Sequence, residues 1–244
     1  MKLNVVQGVI DRRILANYLV DPAALARILP PPFRPKLFAG AGIAGICLIR
    51  LKAIRPQFVP GEMGLSSENA AHRIAVEWTT DGVTREGVYI PRRDSSSKLS
   101  TWVGGRLFPG VHHHARFDIR ERGDCYHVAL DSDDGQTHVC IEARVSTQLP
   151  LTSIFGSLSA ASGFFEAGSV GYSAARRAGV YDGLELRTRQ WQVAPLAVER
   201  IESSFFENEA LFPKDTVQFD CALLMRGIAH EWHGQEALCC PTAD

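Results

Sequence analysis

Lysine is scarce in this sequence: of 26 basic residues only five are lysine (Lys2, Lys36, Lys52, Lys98 and Lys214), and 21 are arginine. A mechanism that needs an amine nucleophile therefore has few candidates. The six cysteines (Cys47, Cys125, Cys140, Cys221, Cys239 and Cys240) include no Cys-x-x-Cys pair. Paired-ligand spacing for a structural zinc ion is thus missing, and reduced, mostly buried thiols are expected. The uncharged apolar run Ala41 to Ile49 is nine residues, less than half a membrane span. Met1 to Gln7 holds no extended apolar stretch, so a secretory leader is not expected and cytoplasmic residence is. With 27 acidic residues the formal net charge is -1, which leaves no global field to recruit nucleic acid or an anionic membrane. No Gly-x-Ser-x-Gly elbow or Walker loop occurs, and no Gly-x-Gly-x-x-Gly opens a predicted helix, as a dinucleotide fingerprint would. Hydrolase, kinase and dehydrogenase readings are unsupported, and no cofactor is expected.

What is present is ordinary globular composition, 45% hydrophobic and 22% charged, with no repeat or linker, so a single domain over 1–244 is expected. Asp21 is a suitable N-cap and Pro22 a suitable first helical residue. Ala23 to Leu29 follows as a short helix, and Pro30-Pro31-Pro32 stops it. Most later segments read as strands. Ile43 to Ile54 is apolar and β-rich, while Arg73 to Trp78 and Val83 to Ile90 flank an Asp81-Gly82 hairpin turn. Turn signals at Arg122-Gly123 and Asp134-Gly135 cut His112 to Val145 into three strands. Two-residue loops would set Phe117 beside Val128 and Val128 beside Ile141, leaving one face apolar and Arg116, Asp118, Arg120, His127, Glu142 and Arg144 on the other. Ser153 to Arg177 predicts a helix or two over the sheet, and strands resume at Leu184 to Val193, Ala197 to Phe205 and Thr216 to Trp232. The expected class is α+β, mainly β: a barrel or sandwich with a few helices.

The triplet His112-His113-His114 carries the clearest chemical signal. In a strand His112 and His114 share one face and His113 the other. Parity places His113 on the apolar row with Ala115, Phe117 and Ile119. There it is either a general acid/base with a tuned pKa or a hydrogen-bonded rim histidine. His112 and His114 could chelate a metal with Asp131, but no motif supplies a further ligand, so no metal is expected. Glu68-Asn69, ahead of His72-Arg73, is either an acid/base at a strand mouth or a solvated loop acid.

These residues together resemble a family. Val20-Asp21-Pro22-Ala23-Ala24-Leu25 and Ile28-Leu29-Pro30-Pro31-Pro32-Phe33 are similar to the first helix of the acetoacetate decarboxylase-like superfamily, and more closely to its YqjF-like uncharacterised bacterial branch. The similarity continues through Glu68-Asn69, Arg73, Gly87-Val88-Tyr89-Ile90, Gly105-Arg106-Leu107-Phe108 and His114-Ala115-Arg116, and from Trp191 to Phe212. The resemblance implies a closed β-barrel around a small-molecule cavity, often in a homo-oligomer. In the decarboxylase a lysine forms a Schiff base with a β-keto acid, and a neighbouring lysine depresses its pKa. Counting back from Ala115 puts that pair on His112 and His113. Imidazole cannot form the iminium electron sink, so Schiff-base decarboxylation is not expected.

By the same resemblance the pocket glutamate falls on Glu68, and the substrate-binding arginine on the Arg12-Arg13 pair, of which Arg12 is chosen. Arg106 is a second substrate-binding candidate. Two readings follow. In one, an enzyme acts on a small carbonyl or carboxylate compound, with Arg12 binding carboxylate, Glu68 as acid/base and His112 or His113 polarising the carbonyl. In the other the barrel only binds a ligand.

Overall fold

The computed structural model describes residues 5–59, 64–97 and 110–240. Along the chain the described elements are β1 (Val5–Val20), α1 (Pro22–Ile28), β2 (Arg34–Pro35), β3 (Leu37–Phe38), β4 (Ala41–Pro56), β5 (Leu65–Thr80), β6 (Val83–Ser95), β7 (His112–Arg122), β8 (Cys125–Ser132) and β9 (His138–Val145). There follow α2 (Leu158–Ala167), β10 (Val170–Ala174), β11 (Val180–Thr188), β12 (Ala194–Ser203) and β13 (Val217–Cys239). The architecture is mainly β, with short helices at its margins.

All the strands belong to one sheet whose pairings return on themselves twice. One ring runs β1–β4–β5–β6–β7–β8–β9–β12–β13 and back to β1. A second leaves the first at β6, passes through β10 and β11, and rejoins it at β13. The strands β13, β1, β4, β5 and β6 are therefore a wall common to both rings. Both faces of this wall are buried, which explains the nine-residue apolar run in β4. Ala44, Ile46 and Leu48 face the first ring, and Ile43, Cys47, Ile49 and Leu51 the second. A strand covered on both faces shows no polar–apolar alternation.

Local chemistry explains most boundaries. The Asp21 side chain accepts from the Ala24 amide at 2.9 Å and caps α1. Asp81 and Gly82 both hold positive φ (53° and 73°), as a two-residue hairpin turn requires, with Thr80 facing Val83. The β7–β8 register differs from the expected one. The two-residue loop is Gly123-Asp124, one residue later, so Ile119 rather than Phe117 faces Val128. Moving a turn by one residue moves the register by two, which preserves the facing of every side chain. Tyr126, Val128, Leu130, Val139 and Ile141 accordingly fill the first ring, and the β8–β9 pairing is as expected.

Val5–Val20, to which no element is assigned from sequence, forms the central strand β1. Its middle, Asp11-Arg12-Arg13, reads as solvent-exposed, yet Arg12 is fully buried. Arg12 Nη1 and Nη2 reach Glu121 at 2.8 Å and Glu68 at 2.6 Å. Arg50 binds the same two carboxylates and Asp11, so β1, β4, β5 and β7 are tied together by charge inside the first ring. No described helix is long and apolar enough to cross a membrane.

Candidate functional site

The second ring contains a cavity of about 150 Å³. Ile49, Leu51, Val88, Ile90, Leu184 and Leu186 supply apolar wall, and Phe165 of α2 with Trp191 and Trp232 complete it. The α2 segment is set over the ring by its Ser157 cap, whose oxygen accepts from the Ala160 amide at 3.1 Å. Trp191 Nε1 donates to Ser162 Oγ at 3.0 Å, fixing the indole against the helix.

Three guanidinium groups enter this apolar space: Arg13 from β1, Arg73 from β5 and Arg93 from β6. Arg13 lies 5.8 Å from the Trp191 ring centroid, and among the described residues its side-chain hydrogen-bond contacts are to sulfur: Cys47 Sγ at 3.2 Å and Met225 Sδ at 3.7 Å. Arg73 is 5% exposed, donates from Nη2 to Asn17 Oδ1, and lies 4.8 Å from the Phe165 centroid. Among the described residues its Nε has no partner. Arg93 donates from Nε to Ser173 Oγ at 3.1 Å. Among the described residues none of the three has a carboxylate within ion-pair distance. Burial without a counter-charge pushes Arg73 and Arg93 down to about 10, far below the usual guanidinium range.

Glycines make room for this arrangement. A Cβ at Gly45 would sit 2.3 Å from the Ala16 carbonyl oxygen and 3.3 Å from Arg73 Nη2. Gly110, at φ +84°, brings the chain against β10 before β7 begins, and a Cβ there would meet Ser173 Cβ at 2.7 Å.

Of the described residues chosen from sequence as site residues, Arg12, Glu68, His112 and His113, only His112 lines the cavity. His113 points to the other side of β7, where Nδ1 lies 3.0 Å from Asp134. Strand alternation separates the two rings, and no bulge at this point turns both inward. Arg12 and Glu68 lie across the wall, bound to each other and to Glu121 and Arg50. The structure thus does not bring them together with His112; along β1 the side chain on the cavity face is Arg13, one residue on. Arg106 lies outside the described residues. The histidine–Asp131 trio considered for a metal is dispersed, with His114 Nδ1 on Asp133 at 2.7 Å and Asp131 on His138 at 2.8 Å.

Another group of potential ligands, His127, Cys140 and Glu142, has its donor atoms within 4.8 Å of one another on the outer face of the meander. Arg120 Nη2 lies 3.1 Å from His127 Nε2, and Arg200 Nη1 3.9 Å from Glu142, so two cations crowd that group. Sequence reasoning missed Arg73 and Arg93 as cavity groups, and it missed Cys47. Their only signal was parity: Arg73 alternates with Ala70, His72 and Ile74, and Cys47 with Ile46 and Leu48, in strands that bury both faces.

Solved structures share this architecture. The acetoacetate decarboxylase of Legionella pneumophila superposes with a TM-score of 0.58 at 13% identity, covering 94% of this chain and 86% of that one. An acetoacetate decarboxylase-like enzyme from Sphingomonas wittichii RW1 gives 0.59 at 12% identity, covering 98% and 94%. The enduracididine biosynthesis enzyme MppR, complexed with pyruvate, gives 0.51 at 12% identity, covering 96% and 89%. The fold is therefore that of the acetoacetate decarboxylase-like proteins. Within that class the chain belongs to the family DUF2071, "Uncharacterized conserved protein (COG2071)", whose sequence profile matches residues 10–227. No curated protein sequence gives a significant match.

Proposed function

We propose that the cavity binds and converts a small carbonyl compound bearing a carboxylate, without a Schiff-base lysine. The observation that carries this reading is the convergence of Arg13, Arg73 and Arg93 on one apolar cavity with no carboxylate partner among the described residues. Buried cations are costly unless an anion meets them, and a bound carboxylate would supply that charge with bidentate geometry. The pyruvate complex of MppR, a protein of the same fold, supports the same ligand class.

Arg73 and Arg93 would hold the carboxylate, and His112 would exchange a proton with the carbonyl oxygen. The described lysines support a route without an imine. Lys36 is paired with Glu86 and Lys52 with Asp11, and neither they nor Lys214 lines this cavity. A purely ligand-binding role is favoured by one feature. Asp94, the one carboxylate among the described lining residues, is engaged by Arg92 at 2.7 Å and so is not free to serve as a base.

Calorimetric titration with 2-oxo and 3-oxo acids, beside their neutral amides, tests the reading. Arg73→Gln and Arg93→Gln are each expected to weaken acid binding at least tenfold, the size of one lost charge-assisted hydrogen bond, and to leave amide binding little changed. Equal loss for acids and amides, or no acid binding by the wild type, refutes it. Borohydride reduction in the presence of the bound acid is expected to leave every lysine unmodified. Turnover lost in His112→Ala separates conversion from binding alone.

A further inference from the structure

Among the described lining residues the cavity holds one thiol. Cys47 is the only one of the six cysteines that lines it. We propose that Cys47 is the covalent nucleophile of this cavity, adding as thiolate to the carbonyl carbon of a 2-oxo carboxylate held by the neighbouring arginines. This rests on the carboxylate reading above and adds to it the bonding atom and the position of the carbonyl.

The first argument is the partner that Arg13 has chosen. Its half-buried guanidinium, beside Trp191, Cys47 and Met225, finds only sulfur acceptors among the described residues. Neutral sulfur is a weak acceptor, so a carboxylate entering the cavity would find Arg13 with donor capacity to spare beside the Cys47 sulfur. Arg73 and Arg93 line the same cavity as this sulfur.

A second, independent argument points to the ligand. Arg73 is 5% exposed and lines the cavity, yet its Nε–H has no acceptor among the described residues. Gly45, two residues before Cys47 on the same face of β4, leaves the space in which that guanidinium sits. The carboxylate-binding group and the sulfur are therefore neighbours. In the proposed complex the carboxylate lies on Arg73, and the carbonyl carbon next to it is the one the sulfur attacks.

The other thiols lack this setting. Burial, reinforced by Asp220, pushes the Cys221 thiol up to about 12, and Cys125 is exposed at the β7–β8 turn.

The step is balanced without a co-reactant. The S–C bond forms, the carbonyl π bond breaks, and the thiol proton ends on the former carbonyl oxygen, giving a reversible thiohemiketal. Pyruvate is the probe. With pyruvate labelled with carbon-13 at carbon 2, the wild-type protein is expected to show a bound tetrahedral carbon that Cys47→Ala does not form.

A second readout uses haloacetates, with the modified cysteines identified by peptide mass spectrometry. Iodoacetate is expected to label Cys47 at least tenfold faster, relative to iodoacetamide, than it labels Cys125 in the same molecule. Arg93→Gln should remove that preference, and pyruvate should protect Cys47. Calorimetric binding of pyruvate without a tetrahedral carbon, or Cys47 labelling with the same reagent preference as Cys125, overturns the nucleophile and leaves the carboxylate reading standing. Absence of any pyruvate binding overturns both. A borohydride-trapped lysine would show that the carbonyl is held by an amine instead.

Discussion

Replacing Arg12 with alanine is expected to lower the free energy of unfolding by about 3 to 5 kcal/mol, the range for removing one partner of a buried ion pair. Arg12 is fully buried between Glu68 and Glu121, whose side chains are 15% and 18% exposed. Without it the two carboxylates share Arg50, which also binds Asp11, and each loses the nitrogen that Arg12 gives it. The urea midpoint, at unchanged slope, measures the loss. If the cost lies in uncompensated charge, the triple variant Arg12→Met, Glu68→Gln, Glu121→Gln should recover much of it. A single variant within 1 kcal/mol of wild type would refute the structural role. The folded Arg12→Ala protein is expected to bind 2-oxo acids as wild type does, whereas Arg73→Gln is not. That contrast separates the charge network from the cavity on the other side of β1.

Mild acid is expected to destabilise the fold steeply. His72 is fully buried in the first ring; burial, with Arg92 adding to it, pushes it down to about 3. His230 is 3% exposed against Trp232; burial, with Arg13 adding to it, pushes it down to about 4. Both rings stay neutral in the native state at pH 5, while in the unfolded chain they take up protons below about 6.5. The unfolded state then binds more protons than the native one, so stability is complete above that value and falls as pH falls. The slope approaches about 1.4 kcal/mol per pH unit for each histidine, or about 2.7 for the pair. Urea midpoints at pH 7, 6 and 5 check this, and His72→Gln should roughly halve the slope. A midpoint constant over that interval would show that neither ring is held neutral.

The fold and the candidate site differ in how far they are readable from the chain. The Asp21 cap, the Asp81-Gly82 turn and the apolar face of β8 and β9 depend on residues close in sequence or on a period of two, and these were legible. The β7–β8 register was displaced by two residues, because a glycine's neighbourhood does not say which of two adjacent pairs forms the loop. Strand β1 was missed for a physical reason. Its Asp11-Arg12-Arg13 segment is stabilised by carboxylates 56 and 109 residues away, so nothing local marks it as buried.

By itself the sequence determined a mainly β chain, its first helix and its turns, and the likeness to acetoacetate decarboxylase-like proteins, since these follow from local backbone preferences and short motifs. Which of Arg12 and Arg13, or of His112 and His113, meets the cavity was decided only by the tertiary structure. Adjacent residues on a strand face opposite ways, and when both faces are buried, polarity does not say which ring each one enters. The grouping of Arg13, Arg73, Arg93 and Cys47 is likewise a property of β1, β4, β5 and β6 lying side by side, a juxtaposition made by hydrogen bonds between distant segments.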